Sequence, residues 1–250
     1  MAAYGYTERA LHTMILPNLG PFRFTAHRAD PVRATIRPSA DLDVVQDAYR
    51  RMVAPMVLQV RGLEILHSSA AVVEGRVAAF CGISESGKST MAYAFSRRGH
   101  RLWADDAVAF EVGGEGVVAT PLPFRIRLRP ASEGFFRGLG TDRHLEDALR
   151  VARRSSARAP VGVLYALSGL DRAQTLEVQR MDPGEAFPVI LEHAYCFTLS
   201  DQTRKRQMVQ NYLHLVRRVP IYRVRLPAGF GHMDETVRVL GSLAADGAAG

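Results

Sequence analysis

The run Gly82-Ile83-Ser84-Glu85-Ser86-Gly87-Lys88-Ser89 has the residue types and spacing of a phosphate-binding loop. Each position has a physical task. The glycines let the backbone turn tightly and bring its amides onto phosphate oxygens. Lys88 neutralises the β- and γ-phosphates, and Ser89 offers a hydroxyl to Mg²⁺. A helix beginning near Lys88 would point its positive end at the anion. The expected nucleotide-binding set is Gly82, Ser84, Glu85, Ser86, Gly87, Lys88, Ser89 and Thr90. The chain has only two lysines, Lys88 and Lys205, and otherwise uses Arg. A lysine at this position is informative, because a compact ammonium suits the cradle better than a planar guanidinium.

Asp105 and Asp106 stand seventeen and eighteen positions beyond Lys88, after the short apolar run Arg101 to Ala104. An acid at the end of a neighbouring strand is where Mg²⁺ would be held, and a second acid can accept a proton from an attacking hydroxyl. A bound cation would help both carboxylates stay charged. The alternative is a solvated turn. His67 lies one hairpin before the loop; it is either a hydrogen-bonded core residue or a group at the loop's mouth. Arg125, Arg127 and Arg129 alternate with apolar residues, as on one face of a strand. They either grip a phosphate or an acidic substrate or form a solvated face.

Positioning these groups requires an alternation of strands and helices. Leu63 to Val73 and Arg76 to Cys81 form an expected hairpin with Glu74-Gly75 as its turn, leading into the loop. A helix over Thr90 to Arg98 ends at Gly99. Strands are expected over Arg101–Ala104, Ala107–Val112, Phe124–Leu128, Val161–Ser168, Thr175–Gln179 and Ile221–Leu226. Helices are expected over Asp41–Val57, with Ser39 or Asp41 as cap and Pro55 as a kink or end. Further helices are expected over Gly184–Cys196, Asp201–Arg218 with Ser200 as cap, and Met233–Ala244. Residues 132–160 are basic and aperiodic and are expected to form a mobile loop with a short helix at Leu145–Arg153. Phe22 to Thr25 is a strand candidate in a small flanking sheet.

Composition narrows the function classes. Apolar residues make up 47% of the 250, enough to bury a substantial core. No run of about 18 apolar residues occurs, so a membrane partner is not expected. Two cysteines, Cys81 and Cys196, are too few for a disulfide framework and point to the cytoplasm. The formal net charge of +7 comes without a helix-turn-helix signal, zinc-ligand spacing or an aromatic RNA-binding signature, so nucleic acid is not an expected partner.

The runs His67-Ser68-Ser69-Ala70, Gly82 to Ser89, Arg98-Gly99-His100-Arg101-Leu102 and Ala104-Asp105-Asp106 together resemble the catalytic core of HPr kinase/phosphorylase, over residues 63–112. The resemblance implies a P-loop kinase fold also related to phosphoenolpyruvate carboxykinase, with a central mixed sheet and flanking helices. It implies Asp105 as general base, Ser89 and Asp106 near Mg²⁺, and His67 in the active site. The family has a long N-terminal domain, whereas about 60 residues precede the core in this sequence; the family's Glu-Ile-Arg-Gly-type segment is not found, and Pro123 to Leu128 stands where it would be. The chain looks more similar to short HPr-kinase-like proteins, some of which act in lasso peptide biosynthesis.

The expectation is therefore an α/β protein with a small segment, residues 1–60, packed on a catalytic domain, residues 61–250. It would be an ATP- and Mg²⁺-dependent kinase acting on a hydroxyl, foremost a serine of a precursor peptide or small protein. A small-molecule kinase and a nucleotide-gated peptide-binding module are the alternatives, and homo-oligomer formation is open.

Overall fold

The computed structural model describes residues 3–114, 116–140, 157–168, 175–195 and 201–246. The helix expected at Leu145–Arg153, Cys196 and the Ser200 cap lie outside them.

The chain opens with a four-stranded antiparallel sheet, β1 (Tyr4–Glu8), β2 (Leu11–Leu16), β3 (Gly20–Thr25) and β4 (Arg33–Ala34), in the order of the chain. Met14, Leu16, Phe22 and Phe24 point to one face, as period-two alternation requires. They pack on Val45, Ala48, Val53 and Val57 of the helical segment that follows. That segment is α1 (Leu42–Ala48), a π turn (Tyr49–Val53) and α2 (Ala54–Val60). Asp41 caps α1 by accepting from the Asp43 amide at 2.8 Å. The helix does not end at Pro55. Proline has no amide proton, and its ring would meet the carbonyl one turn back. The π turn widens the spiral just before it, with the Ala54 amide bonded to the Tyr49 carbonyl.

The main sheet contains β5 (Glu64–Leu66), β6 (Ser68–Val73), β7 (Arg76–Gly82), β8 (Arg101–Ala104), β9 (Val108–Gly113), β10 (Gly116–Thr120), β11 (Ala159–Ser168), β12 (Glu177–Arg180) and β13 (Ile221–Arg225). Its path runs β5-β9-β10-β11-β7-β6-β8, with β13 parallel to the later part of β11 and β12 on its outer edge. The expected hairpin is β6–β7, in antiparallel register from Ser68 opposite Cys81 to Val73 opposite Arg76. Both turn residues have left-handed φ, 47° at Glu74 and 75° at Gly75, which suits the twist of a two-residue hairpin.

Helices cover both faces of this mixed sheet. On one face α3 (Lys88–Arg97), α4 (Pro130–Gly138) and α7 (Met233–Asp246) bury Phe95, Phe136 and Leu240 against Phe80 and Tyr165. On the other, α5 (Pro183–Leu191) and α6 (Gln202–Arg218) bury Ile190, Tyr212 and Leu215 against Ala79 and Leu164. Because β7 and β11 are sandwiched, they read as nearly continuous apolar runs. The cap of α6 is Asp201, whose carboxylate accepts from Thr203 and Arg204 amides.

Two expectations fail. Phe124–Leu128 is not a strand: Phe124 and Ile126 are buried and Arg125 and Arg127 exposed, but among the described residues the segment joins no ladder. Alternation records which side faces the core; it does not supply a hydrogen-bonding neighbour. The start of the expected mobile loop is helical instead. Pro130 opens α4, where its missing N–H costs nothing, and Phe136 anchors it in the core.

Candidate functional site

Parallel strands β7, β11 and β13 end at one edge of the sheet. The antiparallel register places the start of β6 and the end of β8 at the same edge, with Ser68 opposite Cys81 and Ala70 opposite Ala104. At this edge the chain breaks twice. His67 separates β5 from β6, and Asp105 to Ala107 separate β8 from β9. Topology therefore brings the loop after β7 beside both breaks. Ligand sites in open α/β sheets favour the carboxyl ends of strands.

The loop Gly82 to Gly87 hands β7 directly to α3, which starts at Lys88 behind Gly87 at φ 95°. A Cβ on Gly82 would lie 2.8 Å from the Leu167 carbonyl oxygen and collide with Ser86 Oγ, so the loop can pass between β11 and Ser86 only with glycine there. Lys88 is buried. Its Nζ donates to the carbonyls of Gly82 at 2.8 Å and Ile83 at 2.9 Å. Burial pushes its pKa down, against the pull of Asp106. Ser86 Oγ is buried with no hydrogen-bond partner among the described residues. Both groups are donors whose strongest partner would be an anion in the loop.

Asp105 is 6% exposed. Its Oδ1 accepts from Ser89 Oγ at 2.7 Å and Ser69 Oγ at 2.6 Å, and its Oδ2 accepts from the Arg127 amide at 2.9 Å. Burial and then Asp106 raise its pKa; the two serines and the Arg127 amide oppose them. Asp106 is different. It adopts left-handed φ, 65°, which turns its side chain toward the cavity. Its Oδ2 accepts from Arg51 Nε at 2.8 Å. Its carbonyl accepts from His67 Nδ1 at 3.0 Å and from the Tyr195 hydroxyl at 3.3 Å. Since a carbonyl only accepts, His67 carries its proton on Nδ1. Burial first, and Lys88 second, hold the His67 pKa below its ordinary value, so it is a neutral imidazole at neutral pH. It holds the Asp106 turn through the backbone. Burial also pushes the Tyr195 phenol up to about 12.

A cavity of about 650 Å³ opens over these groups. Lys88, Ser89, Asp106 and His67 are among its polar lining; Leu128, Leu226, Pro227, Phe230 and Met233 are among its apolar lining. Ser84, Glu85, Gly87 and Thr90 also line it, and Thr90 Oγ1 lies 2.9 Å from Ser132 Oγ on α4. Arg127 and Arg129 reach the cavity, Arg129 pairing with Glu85 at 2.7 Å; Arg125 is not part of its lining. The sequence left two contributors unnoticed. Tyr195 follows α5, and Arg51 comes from the π turn, 55 positions from Asp106. Neither belongs to a local pattern, so only the fold identifies them.

Among the described residues no group of three or more His, Cys, Asp or Glu side chains forms a metal cage. No helix there is long and apolar enough to cross a membrane. No known family's profile and no curated protein matches the chain. Among solved structures, it is similar to the Hpr(Ser) kinase/phosphatase from Coxiella burnetii, at 14% identity and a TM-score of 0.39, over 74% of this chain and 94% of that one. A likeness this remote assigns no activity.

Proposed function

We propose that the chain is an ATP- and Mg²⁺-dependent phosphotransferase that acts on a hydroxyl, foremost a serine of a peptide or small protein. One observation carries this reading: Ser89 is hydrogen-bonded to the buried Asp105 at the mouth of a strand–loop–helix unit, with Lys88 behind it and a second carboxylate, Asp106, facing the same cavity. Mg²⁺ is usually held by one or two carboxylates or hydroxyls together with substrate phosphates, not by a cage of protein side chains. Ser89 and Asp105 fit that pattern. When bound, the metal would neutralise charge on the terminal phosphates.

The chain's own groups divide the remaining work. Ser86 Oγ, Lys88 and the loop amides bind the phosphates, with Gly82, Ser84, Glu85, Gly87 and Thr90 shaping that cradle. The apolar lining suits a nucleoside base. Asp106 takes the acceptor's proton, and His67 and Tyr195 hold its backbone in place. This reverses the division implied by the family resemblance, which made Asp105 the base and put Asp106 at the metal. The physical reason is access: both Asp105 oxygens are occupied by donors under the surface, whereas Asp106 lines the cavity and only its Oδ2 is taken, by the partly exposed Arg51. Of Arg125, Arg127 and Arg129, the second and third line the cavity, and Arg127 is assigned to meet an acceptor or phosphate.

Incubation with ATP, Mg²⁺ and serine-containing peptides or small alcohols, followed by mass spectrometry, tests the proposal. Gain of one phosphoryl group is expected. Asp106→Asn should still bind nucleotide and lose transfer by about 10²-fold or more; Asp105→Asn should raise the Mg²⁺ concentration needed for binding. Nucleotide binding without transfer to any acceptor would replace the kinase with a binding module. Normal transfer by Asp106→Asn would sink the assignment of the base.

A further inference from the structure

Arg51 is the cation that the N-terminal helical segment brings to the cavity. Its Nε donates to Asp106 Oδ2 at 2.8 Å, and it lines the same cavity as Lys88 and Ser89. The π turn determines its direction, because the extra residue in that turn shifts the helix register just where Arg51 lies. A carboxylate beneath it, Asp47, lies 3.9 Å from Arg51 and also pairs with Arg127. Two guanidinium groups are thus tethered at one mouth. The Arg51–Asp106 pair is open to water, with side chains 43% and 25% exposed. Pairs of this kind add little to stability and exchange partners readily.

In this arrangement Asp106 Oδ2 is occupied by a donor, so that oxygen is not open to the proton of an acceptor hydroxyl. A triphosphate entering the loop would present several anionic oxygens to the same cavity. Guanidinium forms strong, directional hydrogen bonds to phosphate oxygens.

We propose that Arg51 is a catalytic residue that exchanges partners: it leaves Asp106 for the terminal phosphate when a nucleoside triphosphate binds, and thereby frees Asp106 to accept the proton. This rests on the phosphotransfer reading above. In the step itself the acceptor oxygen bonds to the terminal phosphorus. The bond from that phosphorus to the bridging oxygen breaks, and its electron pair leaves with the nucleoside diphosphate. The acceptor's proton passes to Asp106. Arg51 stabilises the charge that spreads over the transferring group.

The test compares the full chain with Arg51→Ala and Arg51→Lys by calorimetry in Mg²⁺, with ADP and with a non-hydrolysable β,γ-imido analogue of ATP as probes. The wild type is expected to prefer the triphosphate analogue. Arg51→Ala should bind that analogue about ten- to a hundredfold more weakly, with ADP affinity within about twofold of wild type. Arg51→Lys should recover part of the loss by restoring charge without the planar fork; it carries the test alone if the alanine variant does not fold. Equal effects on both nucleotides, or none, would overturn the exchange and leave the kinase reading standing. A wild-type chain that binds neither nucleotide would remove both.

Discussion

At the residue scale, Asp105 is a site where stability and function pull apart. Its carboxyl is raised above the ordinary carboxylate value by burial first and by Asp106 second. The sign of the linkage follows. Between the unfolded value, about 4, and the raised folded value, the native state holds a proton that the unfolded chain has released, so stability falls as pH rises through that window. Urea unfolding of the wild type and Asp105→Asn in chelator should therefore show the wild type losing ground to the variant as pH rises from about 4 toward neutrality. Parallel pH profiles would mean that the three donors fully offset burial and Asp106. Little of this was legible in the sequence. Asp105 and Asp106 are neighbours of the same type, and only the burial of one and the left-handed turn of the other tell them apart.

At the element scale, the strand–loop–helix unit owes its shape to one crowded glycine. A methyl group on Gly82 would push against the Leu167 carbonyl of β11 and the Ser86 hydroxyl. Gly82→Ala is expected to cost about 1–3 kcal/mol in urea unfolding and to weaken nucleotide binding at least about tenfold, since the loop must move to relieve the contact. The β6–β7 hairpin and α3 were readable because turn residues and apolar periodicity sit next to each other in the chain. The Phe124–Leu128 segment was misread for the opposite reason. Its alternation is real, but pairing depends on whether another strand lies beside it.

At the scale of the whole molecule, a buried ion pair ties α6 to β5 and to the end of α2. Arg204 donates to Glu64 Oε1 at 2.6 Å, to the Leu63 carbonyl at 2.9 Å and to the Gln59 carbonyl at 3.2 Å. Asn211 also reaches Glu64, whose side chain is 0% exposed. Removing the arginine would strand that carboxylate in the interior. Arg204→Ala is expected to destabilise the fold by about 3–5 kcal/mol, measured as a lowered urea midpoint. A loss no larger than that of an exposed pair would show that water reaches Glu64. Because β5 leads directly into His67, the same variant should also loosen the site edge and lower nucleotide affinity.

The Gly82–Ser89 loop, the hairpin before it and the acidic pair after it are legible in the chain alone, because each is written in neighbouring residues whose types suit one local geometry. Tertiary structure alone decided which aspartate faces the cavity, that His67 serves it through a backbone carbonyl, and that Arg51 reaches it from the N-terminal helical segment. Those outcomes depend on contacts between residues far apart in the chain, set by how β5–β6 and β8–β9 break side by side at one sheet edge.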